Sequence, residues 1–197
     1  MVSQIKLKEY VANKLYEWTK LAEKKDLDHK KRAMIGSLKL CGHHLTIRGN
    51  NSRISGTQNI EIGHNVHIGE NAFIRGEGGL KIGDNTHISR NLVLYTVNHQ
   101  YHGTYLPYDH TTVKKTVEIG RNVWIGMNVC ITPGSKIGDG AIVGMGAVIA
   151  GEVPPLSIVG NQKFRILGYR DPEHYQRLEE NKAYGGVNGR PLQLDNK

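Results

Sequence analysis

The sequence predicts an all-β fold, a parallel β-helix of six-residue repeats, with an N-terminal helix and a short C-terminal helix and tail. The chief observation is a hexad that begins with an aliphatic residue, often followed by Gly, between residues 62 and 149. Such a period fits neither an α-helix nor alternating hairpin strands, and it is typical of short strands joined by tight corners. The aliphatic residues in phase are Ile62, Ile68, Ile74, Ile82, Ile88, Leu94, Ile119, Ile125, Ile131, Ile137, Val143 and Ile149.

A second observation is the composition, with 24 Gly residues and only 7% aromatic residues, which favours a turn-rich repeat over a helical core. Three hexads form one triangular coil, and stacked coils place the aliphatic residues in one inner column. The fifth position of the hexad is mostly small or β-branched, as at Val66, Ala72 and Thr86. Gly, Asn and Asp after the aliphatic residue suit corners in which φ is positive.

Interruptions of the repeat give the domain organisation. Two extra residues at 76–79 indicate a small bulged corner, and the segment 95–116 has poor hexad character. We therefore expect an N-terminal helical segment at 1–40, a β-helix domain at 41–160 with a loop excursion at 95–116, and a C-terminal extension at 161–197.

The two ends of the chain have helical patterns. Apolar residues at helical spacing between Lys and Glu predict an amphipathic helix over residues 3–25. Its apolar stripe contains Ile5, Val11, Leu15, Trp18 and Ala22. Residues 172–183 begin with Pro and predict a short second helix.

Charge and cysteine content narrow the class of protein. The net charge of +8 suits an anionic ligand, such as a phosphorylated cofactor, an acidic sugar, a membrane surface or nucleic acid, and does not choose among them. We expect no nucleic-acid partner, because no binding motif accompanies the charge.

Cys41 and Cys130 form no close-spaced pair, which favours a reducing, cytoplasmic location. The sequence has neither the apolar core of a signal peptide nor an apolar run long enough to span a membrane.

The excursion at 95–116 carries the sharpest chemical signal. It contains His99, His102 and His110 among several Tyr residues. A loop placed by a rigid scaffold is a common position for a functional site, and neutral imidazole is the usual general base near pH 7. The alternative is a solvated loop in which the His residues have no function.

The run from VEIGRNVWIGMNVC to IAGEVPPLSIVGN resembles the signature of the hexapeptide-repeat acyltransferases. It is most similar to the subgroup of galactoside, maltose and xenobiotic acetyltransferases and of capsule or lipopolysaccharide O-acetyltransferases. The resemblance covers about residues 45 to 170 and is specific over 117–161. It implies a left-handed β-helix, which the repeat spacing alone does not establish, and a homotrimer with each site between neighbouring subunits.

By this resemblance His99 is the catalytic base, because LYTVNHQ matches the position of the family's loop His one coil before the NVWIG motif. The expected reaction is a direct transfer from acetyl-CoA, in which His99 takes a proton from the acceptor and the acceptor attacks the thioester. Backbone N–H groups would hold the oxyanion. Cys130 is the alternative nucleophile, although it occupies an ordinary outward hexad position.

The resemblance also places the cofactor. Trp124 matches a Trp that borders the pantetheine channel, and the alternative is subunit packing. The other expected cofactor-binding residues are Gly126, Met127, Gly144, Met145, Ala150, Lys163 and Arg165. Ala150 replaces a frequent Thr or Ser, and Gln162-Lys163 replaces the family's Pro-Ala, which leaves the adenine end undetermined. For Lys163 and for Arg165 the alternative is a solvated side chain that binds no ligand.

The acceptor side is the least specified by sequence. Candidate acceptor-binding residues are Asn71, Arg75, Glu77 and Tyr101. For each of them a purely structural role is an equal alternative.

The preferred function is acetyl-CoA-dependent O-acetylation of a sugar or surface-polysaccharide hydroxyl, without a metal. Alternatives are an amino-sugar or xenobiotic acetyltransferase and a non-catalytic β-helix binding protein. A γ-class carbonic anhydrase would need three His on one metal, and His64, His67 and His87 lack that family's spacing. The acceptor, the choice between O- and N-acetylation and the acyl chain beyond acetyl are not determined by the sequence.

Overall fold

The computed structural model describes residues 2–161, 166, 168–185 and 190, with side chains from residue 9 onward. The chain divides into two compact units, Met1–Asn161 and Gln162–Lys197. The first unit contains helix α1 (Val2–Gly36) and about six turns of parallel strands. These turns confirm the predicted left-handed parallel β-helix.

Each turn of the solenoid contributes two or three very short strands. The first three turns contain β1 (Leu40–Cys41), β2 (Thr46–Ile47), β3 (Arg53–Ser55), β4 (Ile60–Ile62), β5 (His67–Ile68), β6 (Phe73–Arg75), β7 (Leu80–Ile82), β8 (His87–Ile88) and β9 (Val93–Tyr95). A hairpin follows, with strands β10 (Val97–His99) and β11 (Thr112–Lys114). The last three turns contain β12 (Val117–Ile119), β13 (Trp124–Ile125), β14 (Cys130–Ile131), β15 (Lys136–Ile137), β16 (Ile142–Val143), β17 (Val148–Ile149), β18 (Glu152–Val153) and β19 (Ile158–Val159).

The strands stack into three parallel sheets, which are the three faces of the coil. Sheet A has the order β1-β4-β7-β12-β15-β18, sheet B has β2-β5-β8-β13-β16-β19, and sheet C has β3-β6-β9-β14-β17. The register pairs each inner aliphatic residue with its counterpart one turn on, as in Ile62 with Ile82 and Ile125 with Val143. All twelve predicted aliphatic residues are buried, with at most 7% of any of them exposed. The inner column predicted from the hexads is therefore the core.

Asparagine ladders hold the corners of the coil. Asn71, Asn91 and Asn128 occupy equivalent corners between sheets B and C, each with φ near +60°. The Asn71 side-chain amide donates to Asn91 Oδ1 at 3.2 Å, and the Asn91 amide donates to Asn128 Oδ1 at 2.8 Å. Asn tolerates the left-handed backbone and links successive turns, so one residue type meets both needs of the corner.

Helix α1 extends beyond the predicted residues 3–25 because its last turns pack on the end of the solenoid. Met34, Ile35 and Leu38 contact the buried core of the first turns. The Lys31 ammonium donates a hydrogen bond to the backbone carbonyl of Ile47. The C-terminal part of α1 therefore covers apolar surface that the first turn would otherwise expose.

The second unit contains helix α2 (Pro172–Glu180), which ends three residues before the predicted limit of 183. Asp171 caps it, because its carboxylate accepts a hydrogen bond from His174 N–H at 2.8 Å. Pro172 occupies the first helical position, where the missing N–H is not needed.

No helix among the described residues is both long and apolar enough to cross a membrane.

Candidate active site

The segment that interrupts the repeat forms an antiparallel hairpin. Strand β10 pairs with β11, with His99 opposite Thr112. The hairpin leaves the coil after β9 of sheet C and returns at β12 of sheet A. His99 is therefore presented at the edge where sheets C and A meet, which we call the C–A edge.

The root of the hairpin is fixed on the bulged corner one turn earlier. The Thr96 hydroxyl donates to the Arg75 carbonyl at 2.7 Å and accepts the Gly78 N–H at 2.7 Å. A Cβ at Gly78 would lie 2.1 Å from the Thr96 carbonyl oxygen, so only glycine allows this approach. The two-residue slip at 76–79 thus has a structural function, which is to seat the hairpin.

The His99 imidazole is exposed and rests on an aromatic ring. Its ring centroid lies 3.9 Å from that of Tyr108, and the two planes are inclined by 17°. Its backbone N–H donates to Asn98 Oδ1 at 2.9 Å. The stack limits the orientations of the imidazole and leaves its nitrogen atoms accessible to a substrate.

Asp109 organises the loop between the two hairpin strands. Its carboxylate accepts hydrogen bonds from the Thr111 N–H at 2.8 Å, the Thr111 hydroxyl at 2.5 Å and the Thr104 N–H at 3.0 Å. These bonds lower the pKa of Asp109 to about 2. Sequence reasoning missed this residue, although an Asp two residues before Thr is a signal for a local side-chain-to-backbone turn.

Glu77 and Arg75 lie together beside the hairpin root. Glu77 Oε1 accepts from the Ser55 hydroxyl at 2.9 Å and from Arg75 Nε at 3.3 Å. Burial alone would raise the pKa of Glu77, but hydrogen bonds from its own backbone and from Ser55, with the Arg75 charge, outweigh burial and lower it. Glu77 Oε2 is buried and accepts no hydrogen bond from the described residues. One strong acceptor therefore remains free near the hairpin.

The other two predicted acceptor residues are not part of this cluster. Asn71 is a member of the Asn ladder between sheets B and C, and its side-chain amide is bonded to Asn91. Tyr101 lies in the hairpin loop, is exposed, and has its ring centroid 4.3 Å from that of His102. Of the four candidates, the structure brings together only Arg75 and Glu77.

Trp124 lies on a different side of the protomer from His99. It is on β13 in sheet B, paired with His87 on β8 and with Ile142 on β16, and 57% of it is exposed. Sheet B is the face opposite the C–A edge of the triangular coil. Within one protomer the topology therefore separates Trp124 from His99.

The predicted cofactor residues divide between two edges. Gly126, Met127, Gly144 and Met145 follow β13 and β16 and stack at the edge between sheets B and C, which we call the B–C edge. The N–H groups of Gly126 and Gly144 donate to the carbonyls of Val143 and Val159 and are not available to a ligand. A Cβ at either glycine would crowd the backbone of the next turn, so both allow the turns to stack closely.

Three further predicted cofactor residues lie elsewhere. Ala150 follows β17 and lies at the C–A edge, exposed. Lys163 and Arg165 lie outside the residues that the structure describes.

Sheet B also carries two neighbouring imidazoles, on the two turns before Trp124. The rings of His67 and His87 meet edge to face with centroids 5.6 Å apart. Burial, followed by the charges of Arg48 and His87, lowers the pKa of His67. His64 lies at another corner, with its ring 5.2 Å from that of His43. The described part of the chain holds no cluster of three His, Cys, Asp or Glu side chains placed to bind a metal ion.

Two sequence families match the repeat region. The family described as "Bacterial transferase hexapeptide (six repeats)" matches residues 116–151. The family described as "Hexapeptide repeat of succinyl-transferase" matches residues 59–96. The two matches flank the hairpin that carries His99. No curated protein matches the chain in sequence.

Several solved structures share the fold. A maltose O-acetyltransferase from Clostridium difficile 630 is 24% identical, with 68% of this chain and 71% of that chain covered and a TM-score of 0.53. AntD, an N-acyltransferase from Bacillus cereus, was solved as a mutant with dTDP-4-amino-4,6-dideoxyglucose and coenzyme A. That structure is 17% identical, with 78% of this chain and 95% of that chain covered and a TM-score of 0.55. AntD with dTDP and 3-hydroxybutyryl-CoA is 19% identical, covers 78% and 94% of the two chains, and has a TM-score of 0.51.

Proposed function

We propose that the chain is a hexapeptide-repeat acyltransferase that moves an acetyl group from acetyl-CoA to a carbohydrate hydroxyl, in keeping with the two hexapeptide families that its repeats match. The observation that carries the proposal is the hairpin that holds an exposed His99 imidazole on Tyr108 at the C–A edge. Further support comes from the neighbours, which include a maltose O-acetyltransferase and an N-acyltransferase solved with coenzyme A.

His99 acts as the general base. A neutral imidazole nitrogen takes the proton of the acceptor hydroxyl as its oxygen attacks the thioester carbonyl carbon. The tetrahedral intermediate collapses, the carbon–sulfur bond breaks, and the imidazolium returns its proton to the CoA thiolate. The products are an acetyl ester and free CoA, and no acyl-enzyme on Cys130 is required.

Glu77 orients the acceptor. Its side chain lines a cavity beside the hairpin root, where the carboxylate, held by Arg75 and Ser55, accepts a hydrogen bond from a second hydroxyl of the sugar. His99 lies three residues beyond Thr96 on an extended strand, so it is about 10 Å from the hairpin root that contacts Arg75. That separation suits an acceptor of more than one sugar ring.

The complete site is shared between protomers of a homotrimer. Sheet B of one protomer, with Trp124, faces the C–A edge of the next, with His99, and the acyl-CoA lies between them along the B–C edge. The exposed apolar side chains of Trp124, Met145, Val148 and Ile158 support an assembly that covers these faces.

A thiol-release assay with acetyl-CoA across acceptor classes tests the activity. We expect His99→Ala to lower turnover by about a hundredfold or more. His102→Ala is the matched control, because it removes an imidazole from the same loop and should leave turnover within about twofold. Equal losses in the two variants would refute the role of His99.

Complementation tests the shared site. His99→Ala and Trp124→Ala protomers are each expected to be weakly active as pure trimers. Trimers assembled from both contain interfaces that unite an intact His99 with an intact Trp124, so the mixture should regain activity. No gain after verified subunit exchange would contradict a site built from two protomers.

A further inference from the structure

Helix α1 has an apolar stripe that its own solenoid does not cover. All side chains from residue 9 to residue 26 are exposed, including Trp18 at 74%. This exposed part is about 27 Å long at 1.5 Å per residue. The large apolar side chains on one side of it are Tyr10, Val11, Leu15, Trp18 and Leu21. We call this set the α1 stripe.

The α1 stripe faces away from the solenoid. At about 100° per residue, its members lie within about 80° of Trp18 around the helix. Leu27, Lys31 and Met34, which line the cavity between α1 and the first turns, lie on the opposite side of the helix. The helix therefore has two apolar faces in succession, one seated on its own coil and one directed outward.

The two charges nearest the middle of the α1 stripe are both positive. Lys14 and Lys25 lie within about 40° of Trp18. Asp26 lies at the margin of the stripe, about 80° from Trp18, and pairs with Lys30 at 2.7 Å. The glutamates of this part lie about 100° or more away, at Glu9, Glu17 and Glu23. Lys14 reaches Glu17 with Nζ–Oε2 at 2.8 Å, and both side chains stay exposed. A surface that meets this helix face therefore meets apolar groups and ammonium groups together.

We propose that the α1 stripe binds an anionic lipid bilayer surface, with the helix lying in the interface and the solenoid held beside it. Trp and Tyr suit the headgroup boundary because their rings are apolar and their N–H or O–H groups are polar. Lys14 and Lys25 extend their methylene stems along the membrane and place their ammonium groups among lipid phosphates. A bundle of α1 helices from several copies is less suitable, because it would bury Lys14 in its apolar seam.

Co-sedimentation of the full-length protein with vesicles tests the proposal. Vesicles of equal parts phosphatidylcholine and phosphatidylglycerol should bind the protein at least about tenfold more tightly than phosphatidylcholine alone. Trp18→Ser should weaken binding by about tenfold. Tyr16→Ser is the matched control, because Tyr16 is a similarly exposed aromatic residue on the opposite side of α1 and its loss should not change binding. The double variant Lys14→Gln, Lys25→Gln should lose most of the preference for anionic vesicles.

Three outcomes would overturn the proposal. One is equal binding to the two vesicle types, and another is an equal effect of Trp18→Ser and Tyr16→Ser. The third is a Trp18→Ser protein with unchanged vesicle binding and an altered oligomeric state by light scattering, which would show that the α1 stripe meets a second copy. Because Trp18 is exposed, the Trp18→Ser protein should unfold at the same temperature as the native protein, and this measurement excludes misfolding.

Discussion

The imidazole of His99 lies parallel to the ring of Tyr108, with 3.9 Å between the ring centroids and 17° between the planes. The hexad pattern does not predict this contact, because both residues lie in the hairpin that interrupts it. The stack supplies the orientation that an exposed base would otherwise lack. The proposed chemistry therefore depends on Tyr108 as well as on His99.

Replacing Tyr108 should separate ring stacking from the phenol hydroxyl. Tyr108→Phe keeps the stack and should leave kcat/KM within about twofold, whereas Tyr108→Ala should lower it by about tenfold, since a misplaced base loses orientation but not basicity. Steady-state kinetics of both variants measures this. An Ala variant as active as the Phe variant would mean that the stack has no role in catalysis.

The carboxylate of Asp109 should keep the loop ordered down to low pH. Its folded pKa of about 2 lies below the ordinary value, so the stabilisation is present above about pH 4 and is lost as pH falls towards 2. Amide hydrogen exchange at Thr104 and Thr111 reports the bonds that Asp109 accepts. Asp109→Asn should raise exchange at both amides at neutral pH, with Asp139→Asn as a control outside the loop.

Loss of the Glu77 carboxylate should weaken binding of the acceptor and leave binding of acetyl-CoA unchanged. Glu77→Gln removes the charge but keeps the shape, so we expect KM for a sugar acceptor to rise by about tenfold while KM for acetyl-CoA stays unchanged. Glu152→Gln, on an exposed position of sheet A in the last turn, is the matched control. A rise in both KM values would indicate that Glu77 supports the hairpin rather than the acceptor.

The Asn ladder should stabilise the protein in two separable ways, by tolerating a positive φ and by forming side-chain hydrogen bonds. Asn91 has φ of +62° and bonds to Asn71 and Asn128. Both Asn91→Gly and Asn91→Ala lose the ladder bonds, but only Ala is strained at positive φ, so Ala should destabilise the protein by about 1 kcal/mol more than Gly. Thermal or denaturant unfolding measures the difference. Equal stabilities would mean that the corner backbone relaxes.

Much of the fold could be predicted because its information is local and repeated. One aliphatic residue per hexad defines each inward position, and all twelve predicted positions are buried. The Gly-rich slip at 76–79 and the break before Ile119 were visible for the same reason, since a strict period makes any departure from it conspicuous. The position of His99 in such a departure was available from the sequence alone.

The rest required the tertiary structure. The ring partner Tyr108 and the loop organiser Asp109 act through contacts across a hairpin whose turn has no repeat to fix it. The full length of α1 depends on packing of Met34 and Ile35 against the coil, which helical periodicity does not report.

By itself, the sequence determined that the chain winds into a β-helix, and it predicted that the chemistry lies where the repeat is interrupted. Only the tertiary structure decided that Glu77 and Arg75 lie at the hairpin root while Trp124 lies on the opposite face. The physical reason is the triangular coil. A hexad fixes whether a side chain points in or out, but the accumulated register of successive corners decides which of the three faces an outward side chain occupies.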